Sequence, residues 1–498
     1  MQQLSAQDAS FVYLETPHTP MHIGSVEIYD PSTAPGGFVR FKDILAFIES
    51  RLGGARSFRQ RLVRVPFDLD HPYWIEDPEF DLEFHVRHIA LPKPGDWRQL
   101  CIQVARLHAR PMDLSKPLWE FTIVEGLDNI EGLPKGCFAL VSKVHHAAID
   151  GMSGVEMSAA VHDLDAAMTP PDTRDDWQPD HMPKVADLLA RSYFNSLVQP
   201  MRVMETIGRS LPGMAKLTAQ IGRGDVSLSG ARPAPKTRFN AKVSAHRVWD
   251  AVPFPLADIR AIKAAVPDAT VNDVVLAIVG GALRDYLGGH DALPTDTLTA
   301  MAPISVRGEG DKAALGNLVS AMVVGLGTQI EDPLERLRFV HREAINSKAM
   351  TNAVGAKNLA DYSKLVPSGL AGLAARLYTR VGAANAHAPA YNCVVTNVPG
   401  SRVPLYFCGA RMVAMYGTGP VFDGMGLINP VYSYGDTIAI SFTADRTAMP
   451  DPDRYADALR ASFAGLRAAA MKPAAASPVE VNDNKPAPRR VSPRKGTR

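Results

Sequence analysis

The chain lacks several things that would otherwise direct its chemistry. It has four cysteines in 498 residues. Cys101, Cys137, Cys393 and Cys408 stand far apart, without the paired spacing of a zinc or redox site. Three of them lie in apolar or strand-like settings where a reduced thiol serves as a small hydrophobe, which points to a reducing cytoplasm. There is no H-E-x-x-H and no further histidine cluster with ligand spacing, so no metal and no bound cofactor are expected. Charge nearly cancels, with 53 Lys and Arg against 52 Asp and Glu. No global field therefore draws the chain to nucleic acid. The opening MQQLSAQDASFVYLE has no basic segment followed by an apolar one, so it is not read as a secretory signal. The most apolar run, Val274 to Leu283, is far shorter than the roughly 20 residues a membrane-spanning helix needs. Any membrane contact is expected to be peripheral.

What is present suits a globular α/β protein. With 46% hydrophobic and 21% charged residues, the chain is long enough to bury two cores of ordinary size. The stretch Phe138 to Gly154 stands out. An apolar strand ending Val141-Ser142-Lys143-Val144 runs into His145-His146-Ala147-Ala148-Ile149-Asp150-Gly151, and an apolar-periodic helix follows through Val155, Met157, Ala160 and Leu164. Imidazole titrates near neutrality, so a histidine fixed at a strand end can take a proton from a hydroxyl or thiol. Asp150 can fix the turn or pair with a cation, and Gly151 permits an approach that a Cβ would block. One histidine beside a strand is usually a packed core residue. Two, with Asp and Gly in one tight turn, make a costly arrangement if nothing is done there.

Around that stretch the pattern reads as follows. Ser5 with Asp8 three residues on marks a helix start, and Met21 to Tyr29 alternates like a strand. Phe41 to Leu52 predicts an amphipathic helix, Phe80 to Val86 a strand, Gln99 to Arg110 a helix and Phe121 to Gly126 a strand. Thr169 to Asp176 breaks the composition, which predicts a first domain over 1–168. Lys184 to Ile221 reads as linker helices in a segment 169–233, with an apolar face through Val185, Leu188, Leu189, Phe194 and Leu197 that is expected to pack on the domains. Arg191, Arg202, Arg209 and Lys216 beside it also suit an anionic membrane surface. A second domain is expected over 234–471, with helices at Val271, at Pro333 to Ser347 and at Pro452 to Met471. Its strands run to Arg307, from Gly316 and over Asn392 to Gly400, and Leu359 to Tyr378 suits the lining of a hydrophobic cavity. The tail 472–498 is rich in Pro, Ala, Ser and basic residues, which predicts disorder.

His145-His146-Ala147-Ala148-Ile149-Asp150-Gly151 resembles the HHxxxDG signature of the CoA-dependent acyltransferases, a superfamily that includes chloramphenicol acetyltransferase and the condensation domains of peptide synthetases. The opening LSAQDASFVYLE with PMHIGSVEIYD is narrower and resembles the bacterial wax ester synthase/diacylglycerol acyltransferase family. Pro117-Leu118-Trp119, Asn272-Asp273 and Asn397-Val398-Pro399-Gly400 are similar to further elements of that family. The resemblance implies two chloramphenicol-acetyltransferase-like domains with the active site between them, and acyl transfer from acyl-CoA to diacylglycerol, with long-chain alcohols as a second acceptor class. It implies His146 as general base, His145 as support and Asp150 as orienter of the loop, with Arg307 the suggested cation for Asp150. It sets Gly151, Asn272, Asp273 and Asn397 at or beside the site, although Asn272 and Asp273 equally suit helix capping. The expected location is the cytoplasm, in peripheral contact with the inner membrane face or with lipid inclusions. The runner-up is a stand-alone condensation-type enzyme forming amides on carrier-protein substrates, and a lipid-binding protein without catalysis is third.

Overall fold

Strand-forming and helix-forming segments alternate along both halves of the chain, and each half supplies most of one large sheet. The structure, a computed structural model, describes residues 1–149, 153–168, 177–198, 233–305, 319–354 and 388–472. The first sheet contains β2 (His22–Asp30), β5 (Val86–Ala90), β6 (Trp119–Glu125), β7 (Phe138–His145), β12 (Tyr406–Phe407) and β13 (Ala410–Thr418), in the order β12-β13-β2-β7-β6-β5. The second contains β8 (Arg247–Pro255), β9 (Thr299–Ser305), β10 (Val319–Gly325), β11 (Cys393–Val398), β14 (Leu427–Tyr434) and β15 (Thr437–Asp445), in the order β10-β9-β11-β14-β15-β8. A small sheet, β1-β4-β3, joins β1 (Gln2–Gln3), β4 (Tyr73–Glu76) and β3 (Gln60–Val63).

The helices are α1 (Ala6–Leu14), α2 (Phe41–Glu49), α3 (Leu82–His85), α4 (Trp97–His108), α5 (Ser153–Val161), α6 (185–198), α7 (Leu256–Ala264), α8 (Val271–Gly288), α9 (Pro333–Val354) and α10 (Pro452–Ala470). Residues of α2 and α5 share a core with β2, β6 and β7 through Ile44, Phe47, Ile48, Met157 and Val161. On the other face, α4 brings Leu100, Val104 and Ala105 against Val124, Ala139 and, from the second sheet, Trp249. The middle of helix α8, Val274 through Leu283, is apolar on every side because it is buried on every side in the core of the second half. Each Val, Leu or Ile buried there stabilises the fold by about 1.5–3 kcal/mol.

Three features depart from the sequence reading. The stretch read as a strand over Phe80 to Val86 instead begins with α3, because the Asp81 carboxylate accepts the Glu83 N–H and starts one helical turn before β5. Helix α6 does not bury the face expected of it. Leu188 is buried against Val65 and Tyr73, whereas Val185, Phe194 and Leu197 are exposed. Finally, β12 and β13 belong to the C-terminal half by sequence but complete the first sheet, β13 pairing antiparallel with β2 from Arg411↔Asp30 to Thr418↔Gly24. Residues 406–418, within the segment read as the second domain, thus extend the sheet built mainly from the first half. The expectations over 169–176, 199–232, 355–387 and 473–498 lie outside the described residues.

Strands β2 and β7 are antiparallel, with His22 opposite His145. Their approach is close enough that a Cβ on Gly24 would come within 2.0 Å of the Ser142 carbonyl oxygen. Only glycine lets the two backbones meet there.

Candidate active site

The end of β7 is fixed from both sides. The His145 N–H donates to the Leu118 carbonyl at 3.0 Å, and the His146 N–H to the Met21 carbonyl at 2.8 Å. Pro117-Leu118-Trp119 thus supplies a backbone acceptor for the motif as well as the start of β6. The Trp119 indole is itself held, its Nε1–H donating to the Phe58 carbonyl at 2.8 Å. Beyond the strand, residues 146–148 form a single 3₁₀ turn. The two imidazoles have different surroundings.

His145 is fully buried. Its Nδ1 accepts the Ala147 N–H at 3.1 Å, and its Nε2 lies 2.5 Å from Glu15 Oε2. With the Nδ1 lone pair used, the ring proton is assigned to Nε2, which donates it to the carboxylate. His146 is half-buried and stacks flat on Phe11, with ring centroids 3.9 Å apart and planes 13° from parallel. Burial pushes its imidazole down to about 4, and neighbouring His145 adds to the effect. His146 is therefore neutral at pH 7, the state a proton acceptor needs.

These contacts come from α1, through Phe11, and from its C-cap residue Glu15. Ser5 caps the helix by accepting the Asp8 N–H at 3.1 Å, and Ala9, Val12 and Tyr13 bury its inner side. Phe11 and Glu15 are four residues apart and so face the same way. Behind the motif, the His22 Nε2–H donates to the His108 carbonyl at 2.6 Å, and the His108 Nε2–H donates to the Gly419 carbonyl at 2.8 Å. Burial holds His22 well below its ordinary range and pushes His108 down to about 3. Lys143, two positions before the motif, is buried with its Nζ 2.9 Å from Glu120 Oε2.

Residues 4–275 match the model of the wax ester synthase/diacylglycerol acyltransferase catalytic domain, and residues 315–467 match that of the WS/DGAT C-terminal domain. The chain belongs to the wax ester synthase/diacylglycerol acyltransferase family. It is an O-acyltransferase of that kind. The O-acyltransferase WSD of Acinetobacter baylyi is 32% identical over 458 residues, 90% of this chain and 93% of that one. The wax ester synthase/diacylglycerol acyltransferase of Marinobacter aquaeolei has the same fold, with a TM-score of 0.67 and 28% identity over 94% of this chain and all of that one. The starter condensation domain of rhizomide synthetase shares the architecture at a TM-score of 0.52 and 14% identity, covering 94% of both chains. This likeness concerns fold alone, and with the family match it gives the two-sheet acyltransferase architecture.

In this WS/DGAT enzyme the remaining expected site residues are dispersed. Asp273 forms a capping box with Thr270 at the start of α8, its Oδ2 accepting the Thr270 N–H at 2.7 Å and lying 2.9 Å from His341 Nδ1. Asn272 is half-buried beside it, and Asn397 is exposed near the end of β11. Among the described residues no hydrogen bond joins Asn272, Asp273 or Asn397 to His145 or His146. Asp150, Gly151 and Arg307 lie outside the described residues. The backbone amides of His145, His146, Ala147 and Ile149 are all engaged. Donors for a developing oxyanion must come from elsewhere. Sequence reasoning missed Phe11, Glu15, His22 and His108 as neighbours of the motif. The i,i+4 spacing of Phe11 and Glu15 was the one available signal, since the other two meet the motif only through strand pairing and helix packing.

Proposed function

We propose that His146 is the general base of a direct acyl transfer from acyl-CoA to the hydroxyl of diacylglycerol or of a long-chain alcohol. The observation that carries this reading is a neutral imidazole, ring-stacked and backbone-fixed, at the strand end within the family's catalytic domain. His146 takes the hydroxyl proton as the oxygen attacks the thioester carbon. The new C–O bond forms, the C–S bond breaks, and the departing CoA thiolate recovers the proton from His146. No acyl-enzyme is required. A base so placed typically contributes about 10²–10⁴-fold. His145 supports the turn, and Asp150 is assigned to orienting it with Arg307 as counter-charge. Gly151, Asn272, Asp273 and Asn397 are assigned to the substrate channel or its support. The purified protein given labelled acyl-CoA with diacylglycerol, and separately acyl carrier protein with an amine, should yield triacylglycerol and free CoA in the first case only. Amide in the second would instead favour the condensation reading.

The acceptors of this reaction are insoluble in water, which supports a peripheral lipid contact, and one surface suits it. No helix among the described residues is long and apolar enough to cross a membrane. Between β3 and β4 the turn at Pro66–Asp68 holds Phe67 at φ 60 and 91% exposed, and Leu69 is exposed beside it. A left-handed backbone at a phenylalanine costs about 1–2 kcal/mol, so the ring is presented outward at some expense. Helix α6 is pinned next to that turn by Leu188 on Val65 and by Asn195 on Asp70, and it turns Tyr193, Phe194 and Leu197 outward. Arg64, Lys184 and Arg191 are exposed in the same two segments, which suits anionic headgroups. The variant Phe67→Ser with Leu197→Ser should bind phosphatidylglycerol vesicles at least about tenfold more weakly in sedimentation. Unchanged binding would remove this surface from consideration.

A further inference from the structure

Beyond the base itself, and resting on the acyltransfer reading above, we infer that Glu15 is a positioning residue of the reaction, acting through His145 on the turn that carries His146. Three observations meet here. The Glu15 carboxylate is 8% exposed and sits 2.5 Å from Nε2 of a fully buried histidine. That histidine's other nitrogen takes the Ala147 amide, the first N–H beyond His146. The same helix places Phe11 flat against His146.

The consequence is a chain of constraints that starts outside the motif. Glu15 fixes which His145 nitrogen bears the proton. The free Nδ1 lone pair fixes where the Ala147 amide points, and that amide sets the path of the turn just after His146. Phe11, one helical turn before Glu15, closes the other side. A carboxylate that assigns the tautomer of a histidine and orients it serves geometry without touching the substrate, and a misplacement of about 1 Å can cost about 10²-fold in rate. Glu15 also stands at the C-terminal end of α1, where a carboxylate gains nothing from the helix dipole. Its burial at that end is accounted for by His145.

A pure packing role and a positioning role separate in steady-state kinetics. Glu15→Ala should lower kcat at least about tenfold, with KM for acyl-CoA and for the acceptor unchanged within about twofold. Glu15→Gln keeps an oxygen that accepts the Nε2–H, and it should return kcat to within about threefold of the wild type. Because the two groups act as a unit, Glu15→Ala combined with His145→Ala should be no slower than the slower single variant. Multiplicative losses in the double variant, a change in KM alone, or Ala and Gln equally impaired would each overturn the inference. Glu15→Ala with full kcat would do the same. Melting of every variant is followed in parallel, and Glu15→Gln keeps the test open should the alanine variant fail to fold. The wild-type protein in the same assay separates this outcome from an error about the reaction, since a wild type inactive with acyl-CoA and both acceptors would fault the acyltransfer reading instead.

Discussion

His146→Ala should lower turnover by at least about a hundredfold while the protein stays folded, the range expected when a positioned base is removed. The fold should survive because the ring is half-buried and stacked on one neighbour, Phe11, at the rim of the core. His145→Ala should be milder in turnover but worse in stability, since it strips a partner from the buried Glu15 carboxylate. The acid side of the profile is a second readout of the same assignment. With the imidazole pushed down to about 4, kcat/KM at saturating co-substrate should hold level from pH 8 to well below 6.5. An acid limb at 6.5, or near-normal turnover by a folded His146→Ala, would reject His146 as the base.

Acid should unfold this protein earlier than its carboxylates alone would predict. A histidine with a depressed folded pKa binds its proton more readily in the unfolded chain. Its stabilising effect is complete above about 6.5 and is lost as the pH falls towards the folded value. His108, pushed down to about 3 by burial, should by itself remove about 2 kcal/mol between pH 8 and pH 5. His22 and His146 act in the same direction. His162 works against them. Burial lowers it, but the Glu27 carboxylate holds it above its ordinary range, so it adds stability below about 6.5 and loses it as the pH rises through its folded value. His108→Gln keeps an N–H for the Gly419 carbonyl and removes the titration, so denaturant midpoints measured from pH 8 to 5 should fall less steeply than in the wild type. Equal slopes would assign the acid loss to other groups.

The elements nearest the motif were legible because local chemistry specifies them. Ser5 is the cap of α1, the apolar run into His145 is β7, and Pro111 follows the end of α4. Asp273 reads correctly as a capping residue because Thr270 stands three positions before it. What failed depends in one case on a local cap that the period hides and in the others on neighbours distant in sequence. The alternation Phe80, Leu82, Phe84, Val86 has a strand's period, yet the Asp81 side chain starts a helical turn within it. The apolar face of α6 looked like a packing face, and only the position of the small sheet shows which side is covered. Glu15 was in view from the start as the last letter of the opening block. Its carboxylate acquires a role only when α1 lies across the end of β7, which no periodicity reports.

The pairing of β13 with β2 also bears on how the molecule is born. Asp30 leaves the ribosome long before Arg411, its partner in the finished sheet. Until then the rim of β2 away from β7 presents unpaired amides and carbonyls to other nascent chains, a template for mispairing. A polypeptide ended after the first half would carry that open rim permanently. Supplying residues 388–472 in trans should rescue the solubility of such a fragment only if that piece brings Ala410–Thr418 to it.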